Sequence, residues 1–557
     1  MKKYKIFVFV VTIFLFLTTS ILINGEILID LNYDKLPQGE NNNGKIFIGE
    51  IKNIRKSVDN DAKQDEKYKN PNYLGSGLIT YKEKSIDAVL KDILTNVLSY
   101  SGYDVATSNP DGSAPVLYAE IDKFDLWGYM GYVITVNFNV ILLSSDQKTE
   151  LFRKNINANI GFGVFDSLSP LFNRFQIVLD EVLFRSLILI ESNQFVTAYN
   201  NLEKVEIQEA LLKSKKLTTI PDDLPDDINY LDLTSNDITK ISNLENKKDL
   251  LYIRLKGNKI SKIENLDNNT ELKGINLRDN DLTQIEGLEN QKELRFLIAG
   301  NNEIAKISGL DNFNKLIWLG LNENDKLTSL KDIEGLVNLL ILDISDCRKL
   351  SKVEFPSSFS KLYSLNMSAS DISKIKGLDN LTGLRRLYIL GNDISKIENL
   401  DSLVNLEVLE ISDNDSIKKL ENLDNLTNLR ELKIVGTYEL VFASGSIQKI
   451  ENLENLTNLE YLNLGNNKIK MIENLGNLKK LKRLCLAGNK LRKIENLEEL
   501  ENLKYLVLKD GFGSGQTVPK KISQASYDLL KANDVVIDEK YNIDGYMKEY
   551  KIKIDEK

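Results

Sequence analysis

The sequence predicts an α/β solenoid of parallel strands with a 3₁₀-type convex side, preceded by a smaller α+β domain. Two observations carry this. A leucine and asparagine frame recurs from Ile228 onward in steps of 22 or 23 residues, with one step of 30, and the stretch before it has no repeat but shows strand-like alternation. A third observation limits function. Among 557 residues there is no histidine, and the two cysteines, Cys347 and Cys485, stand far apart. The commonest general base and the commonest zinc ligand are therefore missing, and no cysteine-based metal cluster is available. No enzyme, cofactor or metal is expected. A net charge of −9 argues against nucleic acid as the main ligand, because phosphate binding needs a basic face.

Residues 1–25 carry Lys2, Lys3 and Lys5 followed by the apolar run Ile6–Leu17, the pattern of a secretory signal peptide with cleavage after Ser20 or Gly25. The alternative is an uncleaved anchor, since apolar character continues through Ile23. No cysteine follows for lipid attachment. The expectation is an exported protein, in the periplasm, at the cell surface or secreted, with no membrane span once the signal is removed. Without disulfides its stability must come from packing.

Residues 26–200 form the expected α+β domain. Lys45–Ile51 reads as a strand and Ser57–Gly77 as a polar loop. Ser85 can cap a helix that presents Ile86, Val89, Leu90, Ile93, Val97 and Leu98 on one face and stops at Gly102. Val116–Phe124 is a strand. Ile134 to Leu142 and Asn155 to Ile160 alternate apolar with mostly polar residues, as half-buried strands do, and a second helix is expected from Phe172 to about Ile190. The segments KSIDAVLKDILTNVLSYSGYDV and PVLYAEIDKFDLWG resemble the small envelope lipoproteins of the lipopolysaccharide-assembly type.

The repeats begin at Ile228, Leu250, Leu272, Leu294, Leu316, Leu339, Leu362, Leu384, Leu406, Leu429, Leu459, Leu481 and Leu503. Their frame is L-x-x-L-x-L-x-x-N-x-L, followed by a stretch such as SKIENLDNLTN. This frame resembles the leucine-rich repeats of the short bacterial internalin type. Thirteen repeats are expected over 228–511, with an N-terminal cap at 201–227 and a C-terminal cap at 512–557 that includes a helix near Ser523–Ala532. Alternation within L-x-L turns the leucines inward and the x residues outward along a short strand. The asparagine column from Asn236 to Asn489 is expected to satisfy backbone groups where the chain leaves each strand, with Cys347, Ser370 and Thr437 as partial substitutes and Gly511 marking the end.

The outward strand positions form a concave floor, and the candidate protein-binding residues lie there: Tyr230, Tyr252, Arg254, Phe296, Ile298, Trp318, Ile341 and Tyr388. A solvated sheet has no structural need for adjacent aromatic and branched residues, and such clusters are typical binding anchors. The alternatives are plain strand propensity or cover by the first domain. The insertion Thr437–Ile447 lengthens one repeat and is a second candidate contact element. The resemblance implies a partner protein, on a host cell or in the envelope, bound as an adhesin would bind it. The alternative function is an envelope-assembly or scaffold role exercised through residues 26–200.

Overall fold

A computed structural model describes residues 45–53, 104–106, 116–128, 131–143, 150–163, 209–350, 354–439, 442–443, 445–509, 519–538 and 541–555. The expected signal segment, the two helices of the first domain and Gly511 lie outside the described residues. The chain divides into two compact units, Met1–Gln208 and Glu209–Lys557.

In the first unit the alternating segments form a five-stranded sheet. Its strands are β1 (Lys45–Asn53), β2 (Asp104–Ala106), β3 (Val116–Gly128), β4 (Gly131–Leu143) and β5 (Glu150–Gly163), in the order β2-β1-β3-β4-β5. β1 runs parallel to β2 and β3, while β3, β4 and β5 are antiparallel neighbours. The register matches Leu126 and Phe124 of β3 with Ile134 and Val136 of β4, which face Ile160 and Ala158 of β5. That face also carries Leu117, which is fully buried. Alternation thus separates an apolar face from a polar one.

The second unit is a solenoid. Each repeat contributes a three-residue strand, from Tyr230–Asp232 to Tyr505–Val507, and neighbouring strands pair in parallel with no register shift. Glu209–Leu211 precedes them and Val536–Ile537 follows, giving a sheet of 15 strands. The middle residue of each strand points into the core; Leu231, Leu319, Leu409 and Leu506 are all fully buried. Ile263, Leu266, Ile397, Leu400 and Ile472 close the core from the convex side. That side is built mainly of hydrogen-bonded turns, with 3₁₀ segments at Lys331–Ile333, Arg348–Leu350 and Ser357–Lys361.

Short strands leave many backbone groups to satisfy, and asparagine columns do this. Asn258 donates to the carbonyls of Leu233 (3.0 Å) and Leu255 (2.8 Å), and its Oδ1 accepts from Ile238 N–H at 3.0 Å. Asn280, Asn302, Asn324, Asn467 and Asn489 repeat this geometry. Where asparagine is lost, Cys347 Sγ reaches Leu321 O at 3.2 Å and Ser370 Oγ reaches Ile344 O at 3.2 Å. The repeat frame did not single out a second column. The asparagines of the IENL segments (Asn243, Asn265, Asn399, Asn422, Asn452, Asn474 and Asn496) sit at positive φ and donate to a carbonyl of the preceding repeat at 2.6–2.7 Å. Asparagine tolerates left-handed backbone better than most residues. Glycine replaces it at Gly287, where φ is +74° and a Cβ would meet Ile263 O at 2.4 Å. A third column, Asn338, Asn405, Asn428, Asn458 and Asn502, bonds the previous repeat near the solvent surface.

The C-terminal cap holds α1 (Gln524–Ala532), begun by Ser523 accepting from Ser526 N–H, and α2 (Ile543–Tyr550). Its Asp538 ends the sheet. The carboxylate accepts from Leu508 N–H at 2.7 Å and Lys509 N–H at 2.9 Å. In every inner repeat, the N–H equivalent to that of Leu508 binds a carbonyl of the next strand, as Leu486 N–H does to Val507 O. After the two-residue strand Val536–Ile537, a side chain thus takes the place of the strand carbonyl.

Asn324→Ala is expected to leave Ala299 O, Leu321 O and Ile304 N–H without their side-chain partner. Stability should fall by about 2–4 kcal/mol, read as a lower urea midpoint. A midpoint equal to wild type would show that the ladder does not hold the repeats together.

Candidate functional site

Because the parallel strands are in strict register, outward residues stack into two columns along the concave face. The first runs Tyr230, Tyr252, Gly274, Phe296, Trp318, Ile341, Ser364, Arg386, Val408, Glu431, Tyr461, Arg483 and Tyr505. The second includes Asp232, Arg254, Asn276, Ile298, Gly320, Asp343, Tyr388, Glu410 and Lys433 in the same order. All eight residues proposed from the sequence therefore share one face. The register brings Phe296, Trp318 and Ile341 onto consecutive strands, with Ile298 two residues along from Phe296. Tyr230 and Tyr252 lie side by side, ring centroids 5.3 Å apart. Tyr388 is two strands from Ile341 and belongs to a different neighbourhood.

Exposure is lower than a solvated floor would give. Phe296 is 2% exposed, Trp318 6%, Tyr252 1% and Ile298 9%, while Tyr230, Ile341 and Tyr388 are half-buried. Arg254 is buried too, and its guanidinium meets Asp232 Oδ2 at 3.2 Å.

The face has two chemical halves. The first half is aromatic and aliphatic. The second is ionic, and the sequence reading did not single it out as a site. Lys433 Nζ lies 2.9 Å from Glu431 Oε2 and 3.9 Å from Glu410 Oε2. Lys433 and Arg483 both lie against the Tyr461 ring, 5.3 Å and 5.2 Å from its centre. Arg386 lies 5.5 Å from the Tyr363 ring. Such cation–ring contacts stabilise modestly and orient the cation. The signal lay in the strand frame itself: V-L-E in one repeat and E-L-K in the next set Glu410 opposite Lys433 once the strands pair.

Burial raises the carboxyl of Glu410 to about 7; Lys433 counteracts this, while Glu431 and Asp413 add to it. Burial works against the charge of Lys433, but Glu431 and Glu410 outweigh it and lift the ammonium above its ordinary value. Burial also pushes the Tyr388 phenol up. Asp343 is raised by burial despite hydrogen bonds from Ser345, whose hydroxyl stands at 2.7 Å. Cys347, buried in the ladder, has its thiol pushed up to about 12, mainly by burial, which makes it a packing residue rather than a nucleophile. Among the described residues no group of three or more metal-ligating side chains comes together, and no helix is long and apolar enough to cross a membrane.

The insertion forms a small hairpin, Tyr438–Glu439 antiparallel to Phe442–Ala443. Both of its feet are tied to the following repeat: Gly436 N–H donates to Gly465 O at 3.0 Å and Gly445 N–H to Asn466 O at 3.2 Å. The chain therefore leaves the repeat and returns at one place, and the frame resumes undisturbed. A Cβ on Gly436 would meet Asn466 O at 2.1 Å, so the close approach requires glycine.

No protein-family model and no curated protein matches the chain. Among solved structures it is similar to an internalin from Listeria monocytogenes, at 30% identity over 50% of this chain and 80% of that one, TM-score 0.43. It is also similar to a leucine-rich-repeat protein from Leptospira interrogans, at 21% identity over 60% of this chain and 96% of that one, TM-score 0.45. A third likeness is to YopM from Yersinia enterocolitica, at 23% identity over 54% and 60%, TM-score 0.40.

Glu410 makes the ionic half sensitive to pH. Its folded-state carboxyl, at about 7, lies above the ordinary 4.5, so the folded protein holds the proton more tightly than the unfolded chain does. The associated stability is fully present below the ordinary value and is lost as pH rises through about 7. Between about pH 5 and pH 7.5 the melting temperature of the wild type should fall by a few degrees more than that of Glu410→Gln. Parallel melting curves for the two proteins would show that Glu410 is an ordinary carboxylate.

Proposed function

Because its repeat frame, parallel solenoid and asparagine ladder place this chain in the leucine-rich-repeat family, in the short internalin-like form, we propose that it binds a partner protein on the concave face of the array. The observation that carries this reading is the run Phe296, Trp318 and Ile341 on consecutive strands with Ile298 beside them. Each strand is pinned by backbone pairing and by the ladder, so these side chains are held in place before a partner arrives. Little ordering entropy is then lost on binding. Large aromatic side chains at the centre of a patch are the usual source of binding energy, while charged residues around them fix orientation. Here the ionic half, with Arg386, Glu410, Glu431 and Lys433, supplies those charges.

The finer reading is an exported, adhesin-like protein whose partner lies on another cell or in the envelope. Lys2, Lys3 and Lys5 before Ile6–Leu17 support export. A second reading gives the working role to the separate unit Met1–Gln208, docking an envelope assembly while the repeats act as a scaffold. Surface exposure to added protease on intact cells supports the first reading, and retention inside the envelope supports the second.

The full-length chain carrying Phe296→Ala and Trp318→Ala should lose at least about 30-fold in affinity for the protein that the wild type captures, since each anchor of this kind contributes about 2 kcal/mol or more. Met471→Ala, at a half-exposed position away from the concave columns, should capture as the wild type does. Equal capture by the double variant, with its fold confirmed by circular dichroism, would rule out this face as the binding site.

A further inference from the structure

The ionic half of the concave face holds one cation completely and carries half of a second arrangement of the same kind. Lys433 is the complete one. Its ammonium stands 2.9 Å from Glu431 Oε2 and 5.3 Å from the centre of the Tyr461 ring, so a carboxylate and an aromatic face close on it together. The two preceding strands carry the same pair of groups again. Glu410 and Tyr388 are register partners on neighbouring strands and stand in one outward column. Val408, two residues before Glu410 on the same face, adds a buried aliphatic wall beside them.

Among the described residues nothing completes this second arrangement. Lys433 comes only within 3.9 Å of Glu410, against 2.9 Å to Glu431. No hydrogen bond from these residues reaches the Glu410 carboxylate, and none of their cations lies over the Tyr388 ring. Glu410 is nonetheless only 5% exposed, and a buried carboxylate without hydrogen bonds costs stability. The strand frame does not require it, since Ile298 and Gly320 stand at the same repeat position. A charge kept at a cost, where the fold does not ask for one, points to a ligand.

The groups around Glu410 narrow the ligand class. Tyr388 and Arg386 face it from the preceding strand, Lys433 and Glu431 from the following one, and Asp413 lies further along its own repeat. Lys433 and Glu431 offset one another as a close pair, and Arg386 lies against the Tyr363 ring. The Glu410 carboxylate therefore sets the sign, and it favours a cation. A metal ion would need several ligands, and no group of three metal-ligating side chains comes together among the described residues. A carboxylate, a ring face and an aliphatic wall match the charged head and the methylene stem of a basic side chain. We propose that Glu410, Tyr388 and Val408 form a subsite on the concave face for a lysine or arginine side chain of the partner protein. This deepens the concave-face reading and rests on it. Binding is coupled to pH, because the Glu410 carboxyl, raised by burial to about 7, must lose its proton to pair with the cation. Affinity should be about 10-fold higher at pH 8 than at pH 6.

The test is a ligand-observed NMR titration of the full-length chain with acetyl-arginine amide and acetyl-lysine amide, each compared with the neutral acetyl-citrulline amide at fixed ionic strength. These probes need no partner protein, so the outcome is read separately from capture by the Phe296 and Trp318 variants. Saturable binding of at least one cation at millimolar concentration is expected, with the gain between pH 6 and pH 8 given above and with citrulline about 10-fold weaker. Glu410→Gln keeps the shape of the side chain; it should weaken binding at pH 8 about 10-fold and abolish the pH dependence. Tyr388→Leu should weaken binding about 3-fold through loss of the ring and gives a second route should the glutamine variant fail to fold. No saturable binding of either cation, citrulline binding as tightly as arginine, or variants that bind as the wild type does overturns the proposal.

Discussion

A strand of three residues cannot satisfy its own surroundings, and the rest of the solenoid follows from how that deficit is met. Each repeat must pass its backbone donors and acceptors sideways to the next. The strands do so through parallel pairing, and the first asparagine column continues the transfer where the chain turns away. The two further columns on the convex side close the remaining carbonyls. Buried amides left unpaired cost more than paired ones contribute, so the array tolerates little slippage between repeats. Asp538 shows the same constraint at the end of the sheet: just past the short last strand, a carboxylate takes the place of a strand carbonyl, even though burial raises that carboxyl to about 6.

Strict register has a functional consequence. Because no strand shifts against its neighbour, a residue's place in the repeat frame fixes its place on the concave face. Changing one side chain changes one point of that surface without moving the others. The apolar run around Trp318 and the ionic group around Lys433 are therefore separable features of one rigid support. The hairpin at Tyr438–Ala443 obeys the same logic, since its feet close on one repeat and the frame continues through Asn467 as if nothing had been inserted.

How much of this was legible follows from which residues the period constrains. The inward leucines and the ladder asparagines are demanded once per repeat, so periodicity exposes them, and the helix expected near Ser523–Ala532 is found at Gln524–Ala532. The asparagines of the IENL segments recur just as regularly, but asparagine is common in turns for several reasons, and only the positive φ and the bond to the preceding repeat distinguish their role. The concave columns were legible as positions, whereas the low exposure of Phe296 and Trp318 was not, because alternation tells which way a side chain faces and not what surrounds it. The pairing of Glu410 with Lys433 needed the register of two repeats separated by a 23-residue step, which a single frame does not display.

The ladder asparagines serve the fold. In the solenoid, Asn258 or Asn489 is buried with its amide committed to carbonyls of two repeats, and its replacement is a matter of stability. That duty assigns the ladder to folding, and it separates these inward amides from the outward columns of the concave face, whose positions are set by the same register.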